Sequence, residues 1–280
     1  MSIKSTVFGL SLLLGASAHA ETQVAALDSD QESSPTQSYG ATYGAYVRGF
    51  LVANLQVRFD VSQENYHLKA DAKAAGIGRL FSSTRGRTTS YGRFDGEALV
   101  PQGVSIEWMQ DDEVKGARIG YTDGAPSSFH SDYPLPPERT PKNPVDITTV
   151  GTGSNDPFLS MLEQLGAQGL DNVCTASKRM FDGRRLSLLV PEGSQLKSAD
   201  EHKFNINSPV IECQSRWQPI AGYSDETLQE AKGYEMIDSH FARIGSTKFA
   251  APIKITTKTR YGSFTVEAKS FFRITDIKNQ

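Results

Sequence analysis

The side chains best suited to chemistry are few and scattered. The five histidines are His19, His67, His130, His202 and His240, and none lies within four residues of another histidine or of a cysteine. No His-Glu-x-x-His pair and no His/Cys ligand spacing is present, so no metal centre is expected. No Gly-x-Ser-x-Gly elbow occurs that would expose a nucleophilic serine. Gly151-Thr152-Gly153-Ser154 carries part of a phosphate-loop pattern but lacks the Gly-Lys-[Ser/Thr] ending that would put a lysine on the phosphates. It reads as a flexible approach to Asp156. The run Asp111-Asp112-Glu113 has the pattern of a solvated turn rather than a spaced carboxylate pair. No catalytic residue and no cofactor is expected. A hydrolase would need Asp, Glu or His side chains converging in one cleft, and no spacing in the sequence announces that.

Two other groups carry more information. Arg179, Arg184 and Arg185, with Lys178, flank Asp182-Gly183, while Arg85, Arg87 and Arg93 stand on an earlier extended stretch. Alternate residues of a strand share a face, so arginines gathered on one side would suit a phosphate, a carboxylate or an acidic partner. The plainer reading is a solvated hairpin with edge charges that discourage aggregation. Arg179, Arg184, Arg185, Arg85 and Arg87 are the candidate binding residues. The two cysteines, Cys174 and Cys213, are 39 residues apart. An even count in an exported chain suggests a disulfide, worth roughly 3–4 kcal/mol if unstrained. A catalytic thiol is the alternative, without a Cys-x-x-Cys spacing or a histidine nearby in sequence.

The elements that position these groups sit in an ordinary composition. The chain has 280 residues, 29 Lys+Arg against 32 Asp+Glu, a net charge of −3 and 38% hydrophobic residues. That excludes collagen-like and wholly disordered chains, and the absence of a basic excess gives no support for a nucleic-acid partner. Met1 to Ala20 reads as a secretory signal peptide. Lys4 supplies the positive start, Val7 to Ala16 the apolar run, and Ala18-His19-Ala20 the small-x-small cleavage site. Cleavage after Ala20 and a periplasmic location are expected. No other segment is long and apolar enough for a transmembrane helix. Residues 21–38 are polar and without period, a flexible lead-in, and 39–280 are expected to form a single β-rich domain.

From Gly40 onward the dominant period is two. Leu51, Ala53, Leu55, Val57, Phe59 and Val61 alternate with polar or outward residues, and Tyr66, Leu68, Ala70 and Ala72 answer them across the turn Ser62-Gln63-Glu64-Asn65. Strands are predicted over Phe81 to Tyr91, around Val104-x-Ile106-x-Trp108, over Lys115 to Tyr121 and over Ser127 to Tyr133, with Asp123-Gly124 as a turn. Pro134 to Pro144 holds five of thirteen prolines and is a loop or linker. Asp156 and Pro157 predict a helix with an apolar face of Phe158, Leu159, Met161, Leu162 and Leu165, stopped by Gly166. Cys174 to Phe181 and Arg184 to Val190 form a hairpin about Asp182-Gly183, read as a type I′ turn. Pro209 to Gln218 is a strand, Ser224 caps a helix over Asp225 to Lys232, and Ile253 to Thr259 pairs with Ser263 to Phe272. The sum is a mainly β protein: long antiparallel strands in a curved open barrel or half-barrel, with one or two short helices covering or plugging it.

Asp156-Pro157-Phe158-Leu159-Ser160, Cys174, Phe181-Asp182-Gly183-Arg184-Arg185, Cys213 and Pro219-Ile220-Ala221-Gly222-Tyr223 occur in that order. This order resembles the family called domain of unknown function 3108, exported proteins of Gram-negative bacteria, as do Tyr91-Gly92 and Leu99-Val100-Pro101. The resemblance covers about Tyr43 to Arg273. It implies export, a β-rich body and a Cys174–Cys213 bridge, and it implies no biochemical activity. More loosely, the architecture is similar to periplasmic lipoprotein-carrier half-barrels, which hold acyl chains in an apolar groove. The functional expectation is a non-catalytic periplasmic binding or carrier protein for a lipid or acyl-chain ligand, with Ala53, Ala70 and Ala72 leaving room on the inner face. The alternative is an envelope-integrity factor that docks a periplasmic or envelope protein through a strand edge or the arginine-flanked hairpin.

Overall fold

The computed structural model describes residues 36–80, 82–96, 98–110, 113–165, 169–199, 201, 208–232 and 235–274. The expected signal segment, residues 21–35 of the lead-in, Asp111, Asp112, Gly166 and His202 lie outside them. Along the chain run β1 (Gln37–Val47), β2 (Phe50–Val61), β3 (Asn65–Ala74), β4 (Arg85–Asp95), β5 (Ala98–Gln110), β6 (Glu113–Thr122), β7 (Ala125–Ser131), β8 (Ser154–Asn155), β9 (Glu163–Gln164), β10 (Lys178–Phe181), β11 (Leu186–Lys197), β12 (Val210–Ala221), α1 (Asp225–Ala231), β13 (Met236–Arg243), β14 (Phe249–Thr259) and β15 (Gly262–Ile274). They form one sheet in the order β7-β6-β5-β4-β3-β2-β1-β15-β14-β13-β12-β11-β10-β8, with β9 added to β14. The path curls into a nearly closed barrel with one seam, mainly β and with one α-helix among the described residues, in keeping with the expected curved barrel of long antiparallel strands. β1 begins at Gln37, so residues 37 and 38 of the expected lead-in are strand, opposite Val61 and Asp60.

Register follows the hydrophobic alternation, because a one-residue slip would turn every apolar side chain outward. Tyr39 lies opposite Phe59, Phe59 opposite Leu68, Leu68 opposite Ser90 and Ser90 opposite Val104. All five are buried and define the inner face. Asp123 and Gly124 both have positive φ, 49° and 76°, as a two-residue I′ turn requires. The Asp182-Gly183 turn differs from the expected I′ type. Only Gly183 has positive φ, at 92°, and the turn spans four residues between the Phe181–Leu186 pair. Asp182 Oδ1 accepts from the backbone N–H of Arg184 at 2.9 Å and of Arg185 at 2.7 Å. Two captured donors hold Asp182 outside the left-handed region.

The seam lies between β7 and this turn. Arg184 Nη2 donates to Ser131 Oγ at 2.9 Å and to the Tyr133 carbonyl, and its guanidinium lies 5.6 Å from the Phe129 ring centre. A Cβ on Gly183 would collide with that same ring. A side chain therefore bolts two sheet edges together.

The barrel is filled by its own chain. After β7 the proline-rich segment runs along α1, then turns inward. Val150 packs with Val104, Ile119, Phe181 and Leu186. Leu159 and Leu162 pack with Tyr39, Phe59, Tyr66, Leu68 and Phe249. Leu165 and Val173 pack with Ile211, Cys213, Phe241 and Ala250. The helix predicted from Asp156 is instead a single 3₁₀ turn, Leu159–Met161, followed by β9. Asp156 does cap it, accepting from Phe158 N and Leu159 N at 2.9 Å each. The apolar residues must reach different parts of the wall, Leu159 and Leu162 in one cluster and Leu165 in another, which one helical face could not do. Cys174 and Cys213 form a disulfide that ties the end of this plug to β12. Ser224 Oγ accepts from Thr227 N and starts α1 where expected. β13 is an element the sequence reading did not place.

A cation-lined groove and a half-open barrel mouth

The outward face of β1–β5 carries cross-strand rows of polar side chains. Thr42 lies opposite Gln56, Gln56 opposite Asp71, Asp71 opposite Arg87 and Arg87 opposite Glu107. The next row is Asn54, Lys73, Arg85 and Met109. Together with Lys269 they border a groove of about 490 Å³. Arg87 Nε is paired with Asp71 Oδ1 at 2.7 Å, both side chains half in solvent, and Lys269 Nζ donates to Asn54 Oδ1 at 2.8 Å. The side chains of Lys73 and Arg85 make no hydrogen bond or ion pair among the described residues. Four cations against Asp71 and Glu107 leave the groove positive on a chain whose net charge is −3. Its chemistry is that of an anion-accepting surface, with two basic side chains uncommitted.

The five candidate arginines do not meet. Arg85 and Arg87 line the groove. Arg184 bolts the seam. Arg179 donates to the Val150 carbonyl at 3.1 Å and to Ser154 Oγ at 3.3 Å, holding the plug entrance. Arg185 stacks over Tyr223 at 5.7 Å, whose hydroxyl pKa is pushed up to about 12, first by burial. Lys73 and Lys269 were missed. Lys269 lies far along the chain, and only the β1–β15 pairing brings it to the groove. Lys73 could have been found by extending the β2–β3 register into β4, where it faces Arg85.

The inner face behaves differently at its two ends. Where the plug sits, side chains are enclosed. At the end nearer the β1–β2 turn, inward-facing Ala53, Leu55, Ala72 and Gly86 are only half-buried, and so are Ile255 and Val266 across the barrel. They share that face with buried Tyr43 and Trp108. Ala70, one layer deeper, is buried. Inside, Asp156 is fully enclosed and accepts from Ser90 Oγ at 2.8 Å. Burial, opposed by these hydrogen bonds, raises its pKa. The hydroxyls of Tyr66 and Tyr121 are raised too, first by burial and then by the charge of Asp156. Ser90 and Asp156 are both sealed from solvent, and the pair fastens the plug to β4.

Fold and site together describe a plugged antiparallel barrel with a cationic outer groove and a half-open apolar mouth. No family model and no curated protein matches the chain. Among solved structures it is similar to a β-barrel-like protein of domain of unknown function 1849 from Brucella abortus, at 14% identity and a TM-score of 0.45, covering 85% of this chain and 98% of that one. No helix among the described residues is long and apolar enough to cross a membrane.

Proposed function

We propose that this protein is a non-catalytic binding or carrier protein for an amphipathic, lipid-like molecule of the cell envelope. The observation that carries the reading is the uneven filling of the barrel. The plug occupies one end with Leu159, Leu162, Leu165 and Val173, while small and aliphatic side chains, Ala53, Leu55, Ala72, Ile255 and Val266, stay half-open at the other. A half-open apolar mouth with the cations Lys73 and Arg85 on the outer side of the same rim suits a ligand with an apolar tail and an anionic head. The signal-like residues Met1 to Ala20 support export, and the Cys174–Cys213 bridge fits an oxidising compartment such as the periplasm.

Native mass spectrometry of the protein purified gently from cells, with lipid extraction alongside, tests this. A stoichiometric adduct that extracts as lipid is expected, and it should be lost from an Ala72→Trp variant that crowds the mouth. A clean ligand-free mass from cells, together with no uptake of a fluorescent fatty acid, would sink the reading.

A further inference from the structure

Nine large hydrophobic side chains are exposed among the described residues, and seven of them lie at the mouth end of the barrel, away from the plug. The most prominent are Leu80, 78% exposed, and Phe50, 60% exposed, with Ile77 beside them. Phe50 opens β2 after the tight Arg48-Gly49 turn, and Ile77 and Leu80 stand on the 3₁₀ turn Gly76–Leu80 between β3 and β4.

That turn is built to hold its side chains out. Ala75 N donates to the Val52 carbonyl at 2.9 Å, and Gly78 N to the Ala75 carbonyl at 2.9 Å. A Cβ on Gly76 or Gly78 would collide with the backbone carbonyl oxygens of Leu51 and Val52. Two glycines thus let the turn lie flat on β2, and the apolar side chains project from a fixed platform. The segments that carry these tips are basic: Arg48 follows β1 and donates to the Tyr261 carbonyl, Arg79 stands on the 3₁₀ turn, and Lys73 and Arg85 lie on the flanking strands, whereas the acids of the same end, such as Glu113 and Asp225, stand on other segments. Neither residues 36–59 nor residues 72–94 contain an Asp or Glu.

We infer that this end of the barrel docks on an anionic lipid surface, with Phe50, Ile77 and Leu80 entering the interface and the flanking cations meeting lipid phosphates. Protruding apolar tips on a basic stretch of the rim complement a plane of anionic headgroups over hydrocarbon, whereas a protein pocket would have to engulf three separate projections. The contact is peripheral: the outward rows of β1–β5, with Asp71, Arg87 and Glu107, are too polar to face hydrocarbon as a spanning barrel's belt does. The inference shares Lys73 and Arg85 with the groove but does not use the inner face on which the ligand reading rests, so the two can fail separately.

Co-sedimentation of the full chain with vesicles, either phosphatidylcholine alone or phosphatidylcholine with phosphatidylglycerol, tests it. Binding is expected to the anionic vesicles and to weaken with salt. Arg79→Glu should lower it by roughly fivefold or more, and Leu80→Ser by roughly tenfold. Leu196→Ser, an exposed leucine away from this end, is the control and should bind as the parent does. Far-ultraviolet circular dichroism keeps misfolding distinguishable. The inference is overturned if folded protein ignores anionic vesicles, if Leu80→Ser binds unchanged, or if Leu196→Ser loses as much. Crosslinking from position 80 to one defined protein, without vesicle binding, overturns it in favour of a protein partner. Loss of the mass-spectrometric lipid adduct with vesicle binding intact would fault the ligand reading alone.

Discussion

Asp156 is an ionisable group with no solvent around it, yet three donors converge on its carboxylate. Desolvation outweighs them and its pKa is raised. A raised carboxyl pKa contributes stability that is fully present below the ordinary value of about 4 and is lost as pH rises through the folded value. Asp156→Asn keeps an oxygen for the two backbone donors and removes the charge. It should be at least as stable as the parent near neutral pH and show a flatter stability profile, read by urea unfolding at a series of pH values. Asp156→Ala loses the cap and should cost about 1–2 kcal/mol. The arginines divide in the same measurement. Arg184→Ala should cost about 1–3 kcal/mol and Arg184→Lys should not restore it, because lysine lacks the planar fork that spans Ser131, Tyr133 and Phe129. Arg85→Ala should change stability by less than about 0.5 kcal/mol, since nothing in the fold leans on that side chain. The sequence showed these residues as one basic set. Which of them are structural depends on partners such as Ser131 and Val150, distant along the chain, and no local pattern announces that.

At the scale of elements, the strands were legible and the plug was not. β2 and β3 follow directly from the alternation of Leu51 to Val61 and Tyr66 to Ala72, because one buried face imposes period two. The stretch from Asp156 to Leu165 has the spacing of an amphipathic helix and the capping residue to start one. It becomes an irregular filler because apolar clusters lie on more than one side of it and its backbone finds partners in and just before β14: Gln164 opposite Phe249, Glu163 opposite Ala250, and Leu165 N on the Lys248 carbonyl. The disulfide fastens this filler at its far end. Reduction, or Cys213→Ser, should remove roughly 3–4 kcal/mol and raise amide exchange across residues 159–173 more than in β2–β4. Equal acceleration everywhere would mean the bridge acts on the whole sheet instead. Gly183→Ala meets both a positive φ and the Phe129 ring, so it should destabilise by more than about 1 kcal/mol.

At the scale of the molecule, distant parts of the chain are latched to one another beside the β14–β15 turn. Glu230 of α1 accepts Arg139 from the proline-rich segment at 2.9 Å and Arg260 from the β14–β15 turn at 2.8 Å, with its side chain 9% exposed. Glu230→Ala removes the carboxylate that two guanidinium groups share, leaving Arg139 with Glu226 at 3.5 Å, and should cost about 1–3 kcal/mol. Its effect should be non-additive with Arg139→Ala in a double-mutant cycle. None of this joining is visible in one sequence, where residues 139, 230 and 260 are merely charged positions.

The strand order carries a last consequence, for how the molecule is made. Every long strand from β1 to β7 pairs with its neighbour in sequence, and so does every one from β10 to β15, so each wing can zip up locally. The wings meet in the middle of the sheet through β1 and β15, where Ser38 stands opposite Ile274. That pairing closes a loop of nearly the whole chain and cannot begin until the final strand has been delivered. A chain that emerges amino-terminus first therefore holds the bonding edge of β1 open, with Tyr39 and Tyr43 uncovered on the face beside it, for the entire time the other fourteen strands are arriving.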